Sequence, residues 1–316
     1  MSQAENGGWG WSQTIGIVLG LGLVVAAFAF LAWIKHLSRV AQKERPPQKA
    51  KLLRPAGYSL QKRIDEVTEK WNSAVIQTTV AGSMLGLLCS GLYPVAEALL
   101  LQRVPFNHPQ SYLLLSLAIL TVSAMAWLVA SLAQAVQRQR ELRNCVFGMR
   151  GEQAVAEALA ARTVAAAGYT VFHDVPGDGA RNIDHIVVGP GGIFVLETKA
   201  RSRRKPLQDQ PDHVVYYDGQ RLAFPWCEDR DAVRQVQRNA DRMKSFLAEF
   251  APENLTVQPV VVLPGWFVEA ESGYPVRAMN AAYLAKHIAQ SKRLYSEEQL
   301  RPTVRRFDER CRDLEF

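Results

Sequence analysis

RNIDHIVVGPGGIFVLETKARSRR, residues 181–204, sets two acids and an amine into otherwise apolar, β-branched sequence. IDHIVV and IFVLETK read as strands by their Val, Ile and Phe content, and GPGG between them reads as a turn. Ionised groups cost several kcal/mol to bury unpaired. Asp184, Glu197 and Lys199 therefore have to pair with something or do something. If GPGG is a four-residue hairpin loop, Val188 pairs with Ile193, and counting back along an antiparallel ladder sets Asp184 opposite Glu197. Opposed residues share a face, with Cβ atoms about 5 Å apart. Lys199, two residues beyond Glu197, joins that face because strand side chains alternate.

Two like charges so close repel unless a cation or a shared proton lies between them. A divalent metal answers this, and hard oxygen donors favour Mg²⁺ or Mn²⁺, which keep several waters and bind through one or two carboxylates plus phosphate oxygens. Lys199 is placed to orient or help deprotonate an attacking water and to offset developing phosphate charge. Together these groups describe metal-assisted phosphodiester hydrolysis. The competing reading is an ordinary ion pair of Lys199 with Glu197 or Asp184 at a sheet edge.

Upstream, QAVQRQRELRNCVFGMR leads into GEQAVAEALAARTVAAAG, where Val155, Leu159 and Val164 recur near helical spacing. Glu152 lies on that same inward stripe; its simpler role is interaction with the positive start of a helix. YTVFHDV, residues 169–175, reads as a strand. Downstream, Arg201, Arg203, Arg204 and Lys205 form a basic run suited to phosphate contact, or simply to a solvated loop. VVYYDGQRLAF resembles a hairpin around Asp218 and Gly219. DAVRQVQRNADRMKSFLAEF is a helix with Val233, Val236, Ala240, Met243 and Leu247 on its apolar side; Gln235 and Asn239, four apart, read by type as solvated surface. VQPVVVLPG, residues 257–265, adds a strand, and AAYLAKHIAQ and PTVRRFDERCRDLEF add helices, Pro302 restricting where the last begins. The order of elements predicts an α/β fold with one mixed sheet.

The N-terminal part has a different character. Residues 14–34, 74–93 and 112–133 carry no charge, and about 20 apolar residues are what a bilayer core requires of a helix. Three membrane spans are predicted, with LQKRIDEVTEKW as an amphipathic helix at the surface between the first two. Lys35, Arg39, Lys43, Arg45, Lys49, Lys51 and Arg54 follow the first, and Arg138, Arg140, Arg143 and Arg150 the third; basic residues gather on cytoplasmic flanks, so the N-terminus lies outside and everything after 134 inside. The net charge of +7 is thus explained by topology and anionic lipid as well as by nucleic acid. Gly16 with Gly20, and Gly82 with Gly86, are GxxxG patterns that would allow a homo-oligomer through the membrane helices. The four cysteines show no CxxC spacing, which supports neither a zinc ribbon nor a disulfide framework.

RGEQAVAEAL, NIDHIVVGPGGIFVLETK, RQVQRNADRMKSFL and VQPVVVLPG, in this order, resemble the nuclease-related domain (NERD), a branch of the PD-(D/E)xK phosphodiesterase superfamily. The resemblance covers about residues 148–265. It implies a restriction-endonuclease-like mixed sheet flanked by helices, here preceded by a three-helix transmembrane region. It also implies a Mg²⁺- or Mn²⁺-dependent nuclease site acting on DNA or RNA. Asp184 and Glu197 would bind the ion, with the Thr198 carbonyl. Glu152 would support through water, Lys199 would serve the nucleophile, and Gln235 would position it or the substrate. Ile183 stands where the superfamily often has proline. The divisions expected are an extracytoplasmic N-terminus over 1–13, a membrane region over 14–145, the nuclease-related domain over 146–265 and a helical extension over 266–316, in an integral protein of the bacterial inner membrane. The alternative is a catalytically silent, membrane-tethered nucleic-acid-binding or scaffold protein.

Overall fold

The structure is a computed structural model that describes residue 33 and residues 51–100, 108–177, 182–206, 211–251 and 255–315. The chain divides into two units. In the first, Met1–Leu52 with Leu314–Phe316, strand β1 (Lys51–Leu52) pairs antiparallel with β11 (Leu314–Glu315). All other elements belong to the second, Leu53–Asp313.

The sheet grows from the hairpin of β3 (Ile183–Gly189) and β4 (Gly192–Thr198), in which Val188 faces Ile193 as the register count predicted; Gly189 and Gly192 pair as well, so the loop is Pro190 and Gly191 rather than all four residues of GPGG. Glycine is needed at both inner corners: a Cβ on Gly189 would lie 2.1 Å from the Tyr169 ring, and Gly192 has φ +107° with the Thr256 carbonyl 2.5 Å from where its Cβ would be. β2 (Thr170–Val175) pairs antiparallel with β3. β8 (Val257–Val262) lies parallel to β4, and β10 (Arg277–Met279) parallel to β8. This gives a five-stranded mixed sheet of order β10-β8-β4-β3-β2.

Strand alternation splits its apolar residues between two cores. Ile186, Val188, Ile193, Val195 and Val261 pack with Val233, Val236 and Met243 of α4 (Asp231–Ala248) and with Phe307 of α6 (Glu297–Cys311). Val187, Phe194, Leu196 and Val260 pack instead with Val155 and Leu159 at the end of α2 (His108–Leu159), Val164 of α3 (Arg162–Ala166), and Leu284 and Ile288 of α5 (Ala281–Ala289).

Several expectations need correction. There are two mixed sheets: β7 (Cys227–Asp229), β6 (Leu222–Phe224), β5 (Val214–Tyr217) and β9 (Phe267–Ala270) form a four-stranded one. Its outer strands have three and four residues and are largely exposed, too short for a period to register. The region 266–316 is not purely helical, since β9 and β10 join the two sheets and Leu300 and Phe307 complete a core. Pro302 lies inside α6, which begins five residues earlier at Glu297 behind a capping box of Ser296 and Gln299. That cap fixes the start, and the missing Pro302 N–H leaves one carbonyl unbonded in the early helix.

α1 (Tyr58–Leu100) absorbs the predicted surface helix and runs on through residues 74–93. α2 runs likewise from the third apolar segment to Leu159. The two lie antiparallel: Gly82 approaches Leu128, Leu60 approaches Gly148, and Arg63 pairs with Glu141 at 2.8 Å. Among the described residues one helix, Ala118–Leu159, is long and apolar enough to cross a membrane, so three spans are not seen. The first predicted span falls, apart from Trp33, outside the described residues. In the second, Thr78, Thr79 and Ser83 dilute the apolar content and turn their hydroxyls onto the helix's own carbonyls. Gly82 has the Leu128 side chain 3.9 Å from where its Cβ would be, and Gly86 has nothing within 4 Å.

Candidate functional site

The β3–β4 ladder ends at the pair His185 and Leu196. One position further the register sets Asp184 against Glu197, and there the Thr198 N–H donates to Asp184 Oδ2 at 2.7 Å instead of to a β3 carbonyl. β4 stays with β8 past this point, Glu197 opposite Val261, and the Lys199 N–H donates to the Val262 carbonyl at 2.8 Å. The carboxylate of Asp184 thus closes the hairpin where the two strands part. Glu197 is buried, in step with Ile193 and Val195 on the face covered by α4; Lys199 and Asp184 are half-buried. Gln235 is half-buried on α4, which packs on β4 and β8. Asn239 is not surface: it is buried one turn further along α4, because the helix rests on the sheet with a wider face than its apolar residues mark.

Glu152 reaches the same region from the end of α2. It is buried with Oε2 lacking a hydrogen-bond partner, and the nearby Gly57 N–H acts to lower its pKa. Burial, then the charges of Asp184 and Asp174, hold its pKa well above the carboxylate range. Burial also raises Asp184, against the Thr198 N–H and the Lys199 charge, which lower it. The Asp184 charge acts directly on Glu152, so the two carboxyls oppose each other's ionisation.

Residues 147–264 match the family model of the nuclease-related domain, NERD. The comparisons with curated proteins and with solved structures gave no match. Glu152, Asp184, Glu197, Lys199, Gln235 and the basic run all lie inside the NERD match, which ends just beyond β8.

The basic run is less available than its composition suggests. Arg201 forms an ion pair with buried Asp229, whose Oδ1 accepts the N–H groups of Asp231 and Ala232 at 3.0 and 3.1 Å and so caps α4. Arg203 pairs with Asp212 at 3.5 Å, while Arg204 and Lys205 are exposed. The expected phosphate-contacting role of Arg201 competes with this cap, since Asp229 would otherwise be a buried charge without its cation. His185 points to the opposite face, fully buried, its Nδ1 2.8 Å from Nδ1 of His173; burial, then the His173 charge, hold it down to about 3.

One acid of the NERD-matching region was not legible beforehand. Asp174, at the end of β2, is buried with φ +47°. Ser59 Oγ donates to its Oδ1 at 2.5 Å, Asn182 Nδ2 donates to both oxygens at 3.3 and 3.2 Å, and Arg54 Nη1 lies 3.4 Å from Oδ2. YTVFHDV reads as strand throughout, and the signal that could have found Asp174 is its position one residue before the strand runs into a glycine-rich turn.

Among the described residues no group of three or more His, Cys, Asp and Glu side chains is arranged to hold a metal ion. The oxygen donors that remain suited to one are the facing pair Asp184 and Glu197. The raised carboxyls set a pH dependence whose sign is fixed. A folded-state pKa above the unfolded one means that the native protein keeps protons the unfolded chain has released, so stability falls as pH rises between the two values. Without divalent metal, the melting temperature is expected to decline from about pH 5 to about pH 8 through Glu152 and Asp184. Mg²⁺ should restore more of it at the higher pH. Thermal melts across that range, with Mg²⁺ and with EDTA, check this.

Proposed function

We propose that this protein is a membrane-anchored, metal-dependent phosphodiesterase that hydrolyses nucleic acid, with the NERD-matching region as its catalytic part. The observation that carries the reading is the register that sets Asp184 against Glu197 at the open end of the β3–β4 hairpin, with the Lys199 charge acting on Asp184 and the Asp184 charge acting in turn on Glu152. A fold gains nothing from assembling buried carboxyls whose charges oppose one another. The donor set fits a hard divalent cation: Asp184 and Glu197 would hold Mg²⁺ or Mn²⁺, with the Thr198 carbonyl beside them. When bound, that ion supplies Lewis-acid polarisation of a phosphoryl oxygen and neutralises the carboxylates.

The protein's own groups do the rest. Thr198 N–H fixes one oxygen of Asp184, leaving the other for the ion. Lys199 Nζ orients water for in-line attack on phosphorus and offsets charge that grows on the phosphoryl oxygens. Glu152, raised toward its protonated form, can hold or accept a proton through water at the same place. Gln235 positions the water or the substrate from α4. Arg204 and Lys205, exposed beside the strand end, supply phosphate contacts, with Arg203 and Arg201 joining when a phosphate competes for them.

The exposed apolar side chains of α2, with Val122 69% and Val129 61% exposed, suit a lipid environment. The basic residues after position 134 support a catalytic part on the cytoplasmic side of a bacterial inner membrane. A homo-oligomer through membrane helices is part of the same proposal, Gly86 offering an open surface. The absence of a three-ligand cluster among the described residues favours the second reading, a tethered nucleic-acid-binding protein without turnover. Full-length protein in detergent, incubated with labelled single- and double-stranded DNA and RNA, separates the two. Cleavage that requires Mg²⁺ or Mn²⁺ is expected; salt-sensitive binding without cleavage favours the second.

A further inference from the structure

The segment Arg54–Ser59 precedes the NERD match by almost ninety residues, yet it touches the site at two points. At the first, Gly57 lies against the turn of α2 that carries Glu152, and its N–H acts to lower the Glu152 pKa. Gly57 has φ +77°, and a Cβ there would lie 2.8 Å from Met149 Cγ, one turn before Glu152 on α2. Only glycine lets the backbone come this close to α2 in that conformation.

At the second, Arg54 and Ser59 close on Asp174. Arg54 Nη1 donates to the Asp174 carbonyl at 3.1 Å as well as lying beside its carboxylate, while its own backbone N–H donates to the Cys311 carbonyl at 3.1 Å and its guanidinium pairs with Asp313. With Ser59 and Asn182 both Asp174 oxygens are taken, so Asp174 is not a free ligand but a clamp between the start of α1 and the end of β2. Arg54 also neutralises a buried charge that would otherwise oppose the acids of the site.

We propose that Arg54–Ser59 is an integral part of the site, in which Gly57 and the Asp174 clamp position Glu152. The catalytic arrangement is thereby completed by the base of the α1–α2 hairpin, not by the NERD-matching region alone. Gly57, Arg54, Ser59 and Asp174 act as positioning residues; none touches the reacting atoms. The catalytic consequence rests on the phosphodiesterase reading, whereas the placement of Glu152 does not.

The experiment uses full-length protein in detergent and compares Gly57→Ala and Ser59→Ala with wild type in two measurements. The first is metal-dependent cleavage, resolved into kcat and KM. The second is hydrogen exchange of the amides around Glu152 in the last turns of α2. For Gly57→Ala a fall in kcat of about 10²-fold with KM unchanged is expected, since displacement of a positioned group by about 1 Å can cost that much. Ser59→Ala, the milder change and the fallback should Gly57→Ala fail to fold, should lower kcat in the same sense. Exchange in the last turns of α2 should quicken in both. Folded variants with wild-type kcat would overturn the proposal. If wild type itself does not cleave, the phosphodiesterase reading fails separately, and the exchange measurement still decides: quickened exchange supports the positioning role, and unchanged exchange overturns it.

Discussion

Lys199→Met is expected to lower metal-dependent cleavage by about 10²–10⁴-fold, the range over which a positioned proton-transfer group contributes, while leaving the protein folded. Methionine keeps the apolar stem of the side chain and removes only the ammonium group. Lys199 stands just beyond the last residue of β4, half-buried, and its backbone bond to Val262 does not depend on the side chain. Its charge lowers the pKa of both Asp184 and Asp229, so the variant should also shift Asp184 further toward its protonated form. The pH–rate profile should move to higher pH alongside the loss in rate. Gel-resolved cleavage over a pH series, with melting temperature as the folding control, checks both. Retention of wild-type cleavage by folded Lys199→Met would remove Lys199 from the chemistry.

The second large effect is expected at the facing acids. In Asp184→Asn and Glu197→Gln the shape is kept and the charge removed, so the Thr198 N–H can still be accepted at position 184. Loss of either carboxylate should weaken Mn²⁺ binding by on the order of 100-fold or more, because disturbing even an outer partner of a metal ligand costs 10–100-fold. Stability without metal should move the opposite way. If the acids existed to pair with Lys199, removing one would leave that charge uncompensated and destabilise the fold. If they exist to hold a cation, removing one relieves repulsion, and the metal-free melting temperature should rise, most clearly at high pH. The sign of this change separates a binding site from a structural ion pair.

The hairpin that carries these residues was legible because three local signals agree. Val, Ile and Phe mark the strands, GPGG marks the turn, and alternation then assigns faces. The helix carrying Gln235 was legible from the spacing of Val233, Val236, Ala240, Met243 and Leu247, all buried. The placing of Glu152 near Asp184 was legible from sequence only as an inward carboxylate and through the NERD resemblance; α2 supplies it as the continuation of an apolar helix. Asp174 was not legible, because what orients it are Arg54 and Ser59, 120 and 115 positions upstream, and no local pattern encodes a contact at that range. The commitment of Arg201 to Asp229 was hidden for the same reason: a basic run looks solvated until the fold brings an acid beneath it. The four-stranded sheet was missed because its outer strands are too short for a period to show.

Direct Mn²⁺ binding to full-length protein, followed by electron paramagnetic resonance, tests the central claim without relying on turnover. Wild type should bind the ion at a site that competes with Mg²⁺, and Asp184→Asn and Glu197→Gln should each lose it. Equal binding by all three proteins would contradict the account, because Asp184 and Glu197 would then share no cation.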